Sequence, residues 1–94
     1  MRERLEDAVN IGPALAHDLR AIGVTDLESL RALGADEAWV RMHAAGGHDC
    51  LSSLLALEGA VRGVPWMRIS ADDRDALAAA ARAKLAAAAA AALA

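Results

Sequence analysis

Apolar residues recur at intervals of three and four along this chain, between glycines and prolines that divide it into short segments. This spacing is the period of amphipathic helices, whereas strands alternate at every second residue. β-branched residues are few, which also disfavours a sheet. The pattern therefore predicts an all-α fold whose helices end at glycine or proline.

The first half of the chain predicts four short helices. The first is Arg2–Val9, with Leu5 and Val9 on one side, and the second runs from Pro13 to about Ile22. The third is capped by Thr25 with Glu28 and ends at Gly34. The fourth is capped by Asp36 and ends at Gly46 and Gly47. Pro13 suits the first position of a helix, where its missing N–H would have no partner anyway. Thr25 and Glu28 have the spacing of a capping box.

The second half predicts a central helix and a long last helix. Apolar residues cover most of the circumference of Leu51–Arg62, as is usual for the most buried helix of a domain. Asp49 or Ser52 is the candidate cap of this helix, and Glu58 has the spacing to pair with Arg62 on its polar side. Gly59 lies within it and indicates a close approach of neighbouring backbone.

Ser70 and Asp73 form a second capping box, from which the last helix runs through Leu77, Leu85 and Leu93. Residues 86–94 are eight alanines and one leucine, and alanine has the highest helix propensity. We therefore predict a helical domain over residues 1–85 and an Ala-rich helical extension over residues 86–94, which we exclude from functional reasoning.

Composition limits the core. Of the 94 residues, 26 are alanine and 27 are other hydrophobic residues, which is enough for one small core. The chain has no phenylalanine or tyrosine, so its two tryptophans carry more of the packing. Trp66 is expected to fill the core, whereas Trp39 is either a core residue or a partner contact, since tryptophan is frequent at interface hot spots.

Charge and cysteine content exclude several classes of protein. The net charge of −3 disfavours a generic basic nucleic-acid-binding protein. The single cysteine, Cys50, cannot form an internal disulfide and is expected to be a small buried residue at the start of the central helix. Residues 1–10 are charged, unlike a signal peptide, and the uncharged run 85–94 is shorter than the about 20 residues that span a bilayer. We therefore expect a cytoplasmic protein without a membrane partner.

Two stretches resemble known helical modules. Asn10-Ile11-Gly12-Pro13 and Ile22-Gly23-Val24-Thr25-Asp26-Leu27 resemble a helix-hairpin-helix unit, as in the C-terminal domain of the RNA polymerase alpha subunit and other SAM-like domains. Leu54-Leu55-Ala56-Leu57-Glu58-Gly59-Ala60, followed by Arg62-Gly63-Val64 and Trp66, resembles the C-terminal domain of the TfoX/Sxy regulators of natural competence. The order of these motifs is similar to that family across about residues 8–75.

The resemblance implies a compact five- to six-helix, SAM-like module with a long C-terminal helix. In the family this module occurs alone or beside a separate N-terminal domain, which we do not find in these 94 residues. The implied role is regulation of DNA-uptake genes in bacteria.

The hairpin is the candidate nucleic-acid site. Helix-hairpin-helix units bind a DNA backbone because hairpin amides and the next helix N-terminus point at a phosphate. The candidate contacts here are Asn10, Ile11, Gly12 and Arg20. However, residues 1–34 contain four arginines and six acidic residues, and Ala14 stands where relatives often carry lysine. This balance favours a structural hairpin, with weak DNA binding as the alternative.

The sequence indicates no catalytic, cofactor or metal site. His43, His48 and Cys50 lack a clear fourth ligand, and zinc sites usually show paired short spacings. His48, Asp49 and Cys50 are adjacent in sequence, so they do not suit the base, orienting and nucleophile positions together. We therefore predict a non-enzymatic module that acts through protein–protein contacts with an unidentified partner, with homo-oligomerisation as a lesser alternative.

Overall fold

The computed structural model describes residues 3–93, and within this range all the regular secondary structure is helical apart from one isolated bridge between Arg4 and Asp26. The elements are a 3₁₀ turn at Leu5–Asp7, α1 (Pro13–Ala21), α2 (Leu27–Leu33), α3 (Ala35–Ala44), α4 (Leu51–Arg62), a 3₁₀ turn at Trp66–Arg68, and α5 (Ala71–Leu93). The predicted all-α fold with a long C-terminal helix is confirmed.

The helix predicted over Arg2–Val9 is wrong in its extent. Leu5–Asp7 forms a single 3₁₀ turn, and Arg2 lies outside the described residues. The turn ends at Ala8, whose backbone is extended at φ −77° and ψ 147°. Leu5 is fully buried as expected, but Val9 is 36% exposed because Ala8 takes the inward position instead.

Two predicted helix caps are displaced by a neighbouring residue. Asp26, rather than Thr25, caps α2: its Oδ1 accepts hydrogen bonds from the Ser29 backbone N–H at 2.8 Å and hydroxyl at 2.7 Å. Cys50, rather than Asp49 or Ser52, precedes α4, without a side-chain capping bond. The Ser53 hydroxyl donates to the Cys50 carbonyl at 2.6 Å at this end of the helix.

The cap predicted at Asp36 is also displaced, whereas the one predicted at Ser70 is observed. Gly34 both closes α2 and precedes α3, so Asp36 lies within the first turn of α3, where its Oδ1 accepts from the Glu37 N–H at 2.8 Å. The second capping box is present in part, since the Ser70 hydroxyl accepts from the Asp73 N–H at 3.1 Å.

The core lies between α1, α2, α3 and α4, and α4 is the central helix that its pattern predicted. It contacts α2, α3, α5 and the 3₁₀ turn at Trp66–Arg68. The largest fully buried side chains are Leu5, Leu19, Leu30, Met42, Leu54 and Leu57. α5 packs chiefly against α3, buries Ala78 and Ala81, and packs the half-buried Leu77 and Leu85 against the core.

The two tryptophans take the opposite places from those expected. Trp39 is 7% exposed, and its indole Nε1 donates to the Cys50 carbonyl at 3.1 Å. Trp66 is 40% exposed, so the prediction that it fills the core is wrong. The backbone of Trp66 lies beside Gly59, with its Cα 3.3 Å from the position of an added β-carbon at residue 59, while the residue as a whole stays exposed.

α5 is long and apolar enough, by length and composition, to cross a membrane, with 23 residues and a mean hydropathy of 1.5 over its most apolar stretch of 18 residues. On the sequence, only the uncharged run 85–94 was compared with a membrane span, and an apolar helix of this length was not predicted. Core helices of soluble proteins share this length and composition. Here the apolar character comes chiefly from alanine, and the first turn carries Asp72 and Asp73.

Candidate functional site

The hairpin is tied to the opposite side of the domain through Asn10. This residue has a left-handed backbone, with φ 71°, which asparagine tolerates better than most residues. Its Nδ2 donates to the carbonyls of Val64 at 3.0 Å and Ala56 at 3.4 Å, and its Oδ1 accepts from the Trp66 N–H at 3.3 Å. The Asn10 side chain therefore joins the hairpin to α4 and the segment after it.

The other hairpin residues divide between core and surface. Ile11 is 5% exposed, and its N–H donates to the Ala8 carbonyl at 3.3 Å. Gly12 is exposed and accepts from the Ala16 N–H at 3.0 Å, while Pro13 begins α1 as predicted. Of the predicted contacts, Gly12 and Arg20 are exposed and Ile11 is buried, and the DNA contact itself stays a prediction.

Arg20 forms a two-pronged ion pair with Glu6. Its Nη1 and Nη2 donate to the two Glu6 carboxylate oxygens at 2.7 and 2.6 Å. These bonds lower the pKa of Glu6 from 4.5 to about 2 and raise the pKa of Arg20 above its ordinary value. The positive charge predicted to serve the hairpin is therefore already paired with a carboxylate from the first 3₁₀ turn.

A second tie joins α1 to the loop between α3 and α4. The Asp18 Oδ2 accepts from the His48 backbone N–H at 2.9 Å and also contacts His48 Nδ1. These hydrogen bonds lower the pKa of Asp18. A β-carbon at Gly47 would lie 2.8 Å from the same oxygen, so the loop approaches Asp18 where it has no side chain.

The remaining candidate groups each have a different contact. Cys50 is exposed, contrary to the expectation of a buried thiol, because the residue before α4 lies at the surface. Hydrogen bonding with Ser53 lowers the pKa of the Cys50 thiol. The His43 ring lies 5.9 Å from that of Trp39. Residues 3–93 contain no cluster of three or more His, Cys, Asp or Glu side chains that could hold a metal ion.

The predicted pair of Glu58 and Arg62 is confirmed, with Arg62 Nε donating to Glu58 Oε2 at 2.8 Å. Arg62 also donates through Nη1 to Asp73 Oδ2 at 2.9 Å, which links α4 to α5. Both hydrogen bonds raise the pKa of Arg62. Glu58 is therefore one of two carboxylate partners of a single arginine at the polar side of α4.

Sequence reasoning missed an exposed apolar surface at the 3₁₀ turn after Pro65. Trp66 is 40% and Met67 65% exposed. The Arg74 guanidinium lies 5.3 Å from the centroid of the Trp66 ring and donates to the carbonyls of Met67 and Ile69 at 3.1 and 2.9 Å. The tryptophan and methionine in this non-periodic segment are its only signal in the sequence.

Comparison with known proteins places these features in a family. The profile of the TfoX C-terminal domain matches residues 1–81. Protein Sxy of Escherichia coli K12 is 36% identical over 63 residues, which are 67% of this chain and 30% of Sxy. The chain thus spans less than a third of the length of this curated relative.

Two crystal structures from Listeria monocytogenes share the fold. An uncharacterized protein in a triclinic form has a TM-score of 0.74 and 34% identity, with 78% of this chain and 83% of the other covered. A protein of unknown function in a tetragonal form has a TM-score of 0.78 and 32% identity, with 84% and 98% covered. By family profile, sequence identity and fold together, this chain belongs to the TfoX C-terminal domain family.

Proposed function

We propose that this chain is a non-enzymatic helical module that acts in the cytoplasm through protein–protein contacts in the regulation of natural competence. Membership of the TfoX C-terminal domain family supports the link to competence. The observation that carries the proposed mechanism is the contrast between two surfaces. The hairpin side chains Asn10 and Arg20 bond to other parts of the domain, whereas Trp66 and Met67 face solvent.

The partners of the titratable side chains support a role without catalysis. His48 contacts Asp18, Glu58 binds Arg62, and the Cys50 thiol bonds to Ser53. Each of these contacts joins two segments or stabilises a helix end. None assembles a nucleophile with a base and an orienting group, which is the arrangement that nucleophilic catalysis requires.

Affinity capture tests the proposal. The folded chain is immobilised, exposed to a lysate of the organism that encodes it, and cross-linked before the retained proteins are identified and purified for reconstitution. We expect one defined protein to bind again at micromolar concentration when purified. The matched control is Leu57→Asp, which places a charge in the core and should abolish capture by unfolding the domain. Failure of the folded chain to retain any protein contradicts the proposal.

The DNA-binding alternative predicts a different result with a labelled duplex at low salt. Binding to DNA phosphates releases counterions and therefore weakens as salt rises, so the titration is made at about 50 mM salt. Because Glu6 pairs with Arg20, we expect no measurable binding by the native chain, and Glu6→Gln tests whether the freed guanidinium changes this. Binding by the native chain that is lost in Arg20→Ala would favour the alternative.

Light scattering on the same samples tests the lesser alternative, homo-oligomerisation.

A further inference from the structure

Three of the five large hydrophobic side chains exposed among residues 3–93 belong to one region. These are Val9, Trp66 and Met67, at 36%, 40% and 65% exposure. Trp66 and Met67 are consecutive, and Val9 precedes Asn10, whose side chain accepts a hydrogen bond from the Trp66 N–H. Asn10 thus joins the hairpin to the 3₁₀ turn, and we call the exposed apolar side chains at this junction the Trp66 surface. Such areas on soluble proteins often mark interaction sites.

Positive charge flanks this surface without a carboxylate partner. Arg68 is exposed and forms no ion pair with any of the residues 3–93. Within the described part of the chain, Arg74 donates to two main-chain carbonyls, forms no ion pair, and lies over the Trp66 ring. Arg62 differs, because Glu58 and Asp73 neutralise it. In a chain of net charge −3, the Trp66 surface is therefore flanked by two uncompensated cations.

The acidic residues in the first turns of α5 do not neutralise the positive charge of Arg74. Successive residues of a helix are separated by about 100° around its axis, since it has about 3.6 residues per turn. Asp72 therefore lies on the far side of α5 from Arg74, and Asp75 lies about a quarter of a turn away. Asp73 is already bound to Arg62.

We propose that the Trp66 surface, with Arg68 and Arg74, is a docking site for an amphipathic protein segment that carries acidic residues beside apolar ones. This deepens the proposed function and rests on it. Tryptophan, methionine and arginine are the residue types enriched at protein interfaces. The apolar side chains would contact the apolar face of the segment, and the two guanidinium groups would meet its carboxylates.

Two other occupants fit the surface less well. A nucleic acid base would stack on Trp66, but the Arg74 guanidinium already covers one face of that ring. Met67, the most exposed member of the surface, offers no group for a phosphate. A second copy related by two-fold symmetry would bring the same patch onto itself, and so gather four arginines, Arg68 and Arg74 of each copy, in one interface.

Designed peptides test this surface in the full chain. One fluorescent peptide of sixteen residues carries leucine at helical positions i, i+3, i+4 and i+7 with glutamate elsewhere, and its matched peptide carries lysine in place of glutamate. By anisotropy, we expect the acidic peptide to bind with micromolar affinity and the basic peptide at least about tenfold more weakly, since like charges then meet. Met67→Ser and Arg68→Glu should each weaken the acidic peptide at least about fivefold.

The matched controls alter similar side chains elsewhere. Leu51→Ser is the control for Met67→Ser, because Leu51 is also a large apolar side chain and is 44% exposed. Arg82→Glu is the control for Arg68→Glu, because it reverses the charge of another exposed arginine. Both should bind the acidic peptide as the native chain does. Met67→Ser and Arg68→Glu alter exposed side chains, so their circular dichroism should match that of the native chain and show that the fold is intact.

Several results would overturn the assignment. These are no binding of the acidic peptide, equal binding of both peptides, or unchanged binding in Met67→Ser and Arg68→Glu. If duplex DNA binding or dimerisation depended on Met67 and Arg68, the surface would bind DNA or a second copy of the chain, and the proposal would be rejected. If those two variants still capture the cellular partner, the proposed function stands and the surface assignment fails. If the native chain captures no protein, the function itself fails.

Discussion

The amide group of Asn10 occupies the space that a β-carbon at residue 59 would need. An ideal β-carbon on Gly59 would lie 2.3 Å from Asn10 Nδ2 and 2.6 Å from the Val64 carbonyl oxygen. A glycine within a helix costs about 1 kcal/mol relative to alanine. In α4 this cost is offset by the hydrogen bonds that Asn10 makes to the carbonyls of Ala56 and Val64. The hairpin and the central helix are thus fitted to each other.

Gly59→Ala should therefore destabilise the domain although it raises helix propensity. Overpacking typically costs about 1–3 kcal/mol, and the gain in propensity is about 1 kcal/mol. Because one of the atoms in the way is a backbone oxygen, we expect a net loss of about 1–2 kcal/mol in the free energy of unfolding, measured with urea and circular dichroism. Ser52→Ala on the exposed side of α4 is the control and should stay within about 0.5 kcal/mol of the native chain. A stabilised Gly59→Ala variant would contradict the close approach.

Two substitutions at Asn10 should separate its backbone from its side chain. Asn10→Gly keeps the left-handed backbone and loses the side-chain hydrogen bonds, which are worth about 0.5–1.5 kcal/mol each. Asn10→Ala loses the same bonds and adds a left-handed penalty of about 1–2 kcal/mol. Urea unfolding should therefore rank native above Asn10→Gly above Asn10→Ala. Equal stability of the two variants would show that the hairpin relaxes out of the left-handed region.

The sequence predicted helices well where a single local signal decides the outcome. α4 begins and ends as predicted, and Pro13 starts α1, because periodicity and the missing proline N–H depend on neighbouring residues only. The cap of α2 was misplaced because Thr25 and Asp26 are both good caps. The choice is made by tertiary contacts, since the Leu27 N–H bonds to the Glu3 carbonyl at 3.2 Å and Leu27 is buried.

The contacts of the candidate site were beyond local reasoning. Arg20 is 14 residues from Glu6, His48 is 30 from Asp18, and Asn10 is 54 from Val64. No helical spacing links such pairs, so the sequence named Asn10 and Arg20 but not their partners. The places of the two tryptophans were predicted wrongly for the same reason, because no local signal shows that Asn10 and the backbone of residues 64–66 lie against Gly59. The family motifs, by contrast, are contiguous and were recognisable.

The two tryptophans should differ in solvent access and in their contribution to stability. In Trp66→Phe the remaining Trp39 is buried, so its emission should be blue-shifted and acrylamide should quench it weakly. In Trp39→Phe the remaining Trp66 should be quenched strongly. Trp39→Phe also loses the bond to the Cys50 carbonyl, so we expect a cost of about 1–3 kcal/mol, against about 0.5 kcal/mol or less for Trp66→Phe. The reverse order of quenching would show that Trp66 is the core residue.

The ion pair of Glu6 and Arg20 should make the stability of the domain depend on acid pH. The hydrogen bonds from Arg20 lower the pKa of Glu6 to about 2 in the folded chain, whereas the ordinary value is 4.5. Folding therefore gains from this carboxylate above pH 4.5, and the gain is lost as the pH falls from 4.5 towards about 2. Glu6→Gln removes the gain, so its melting temperature should lie below that of the native chain at pH 7 and approach it near pH 2.

Glu28→Gln, which removes the same charge from an exposed side chain, corrects for the change in net charge. High salt should narrow the difference at pH 7, because the pair is exposed and therefore screened. A difference that stays constant from pH 7 to pH 2 would mean that Glu6 does not bind Arg20 in solution, and Arg20 would then be available to the hairpin.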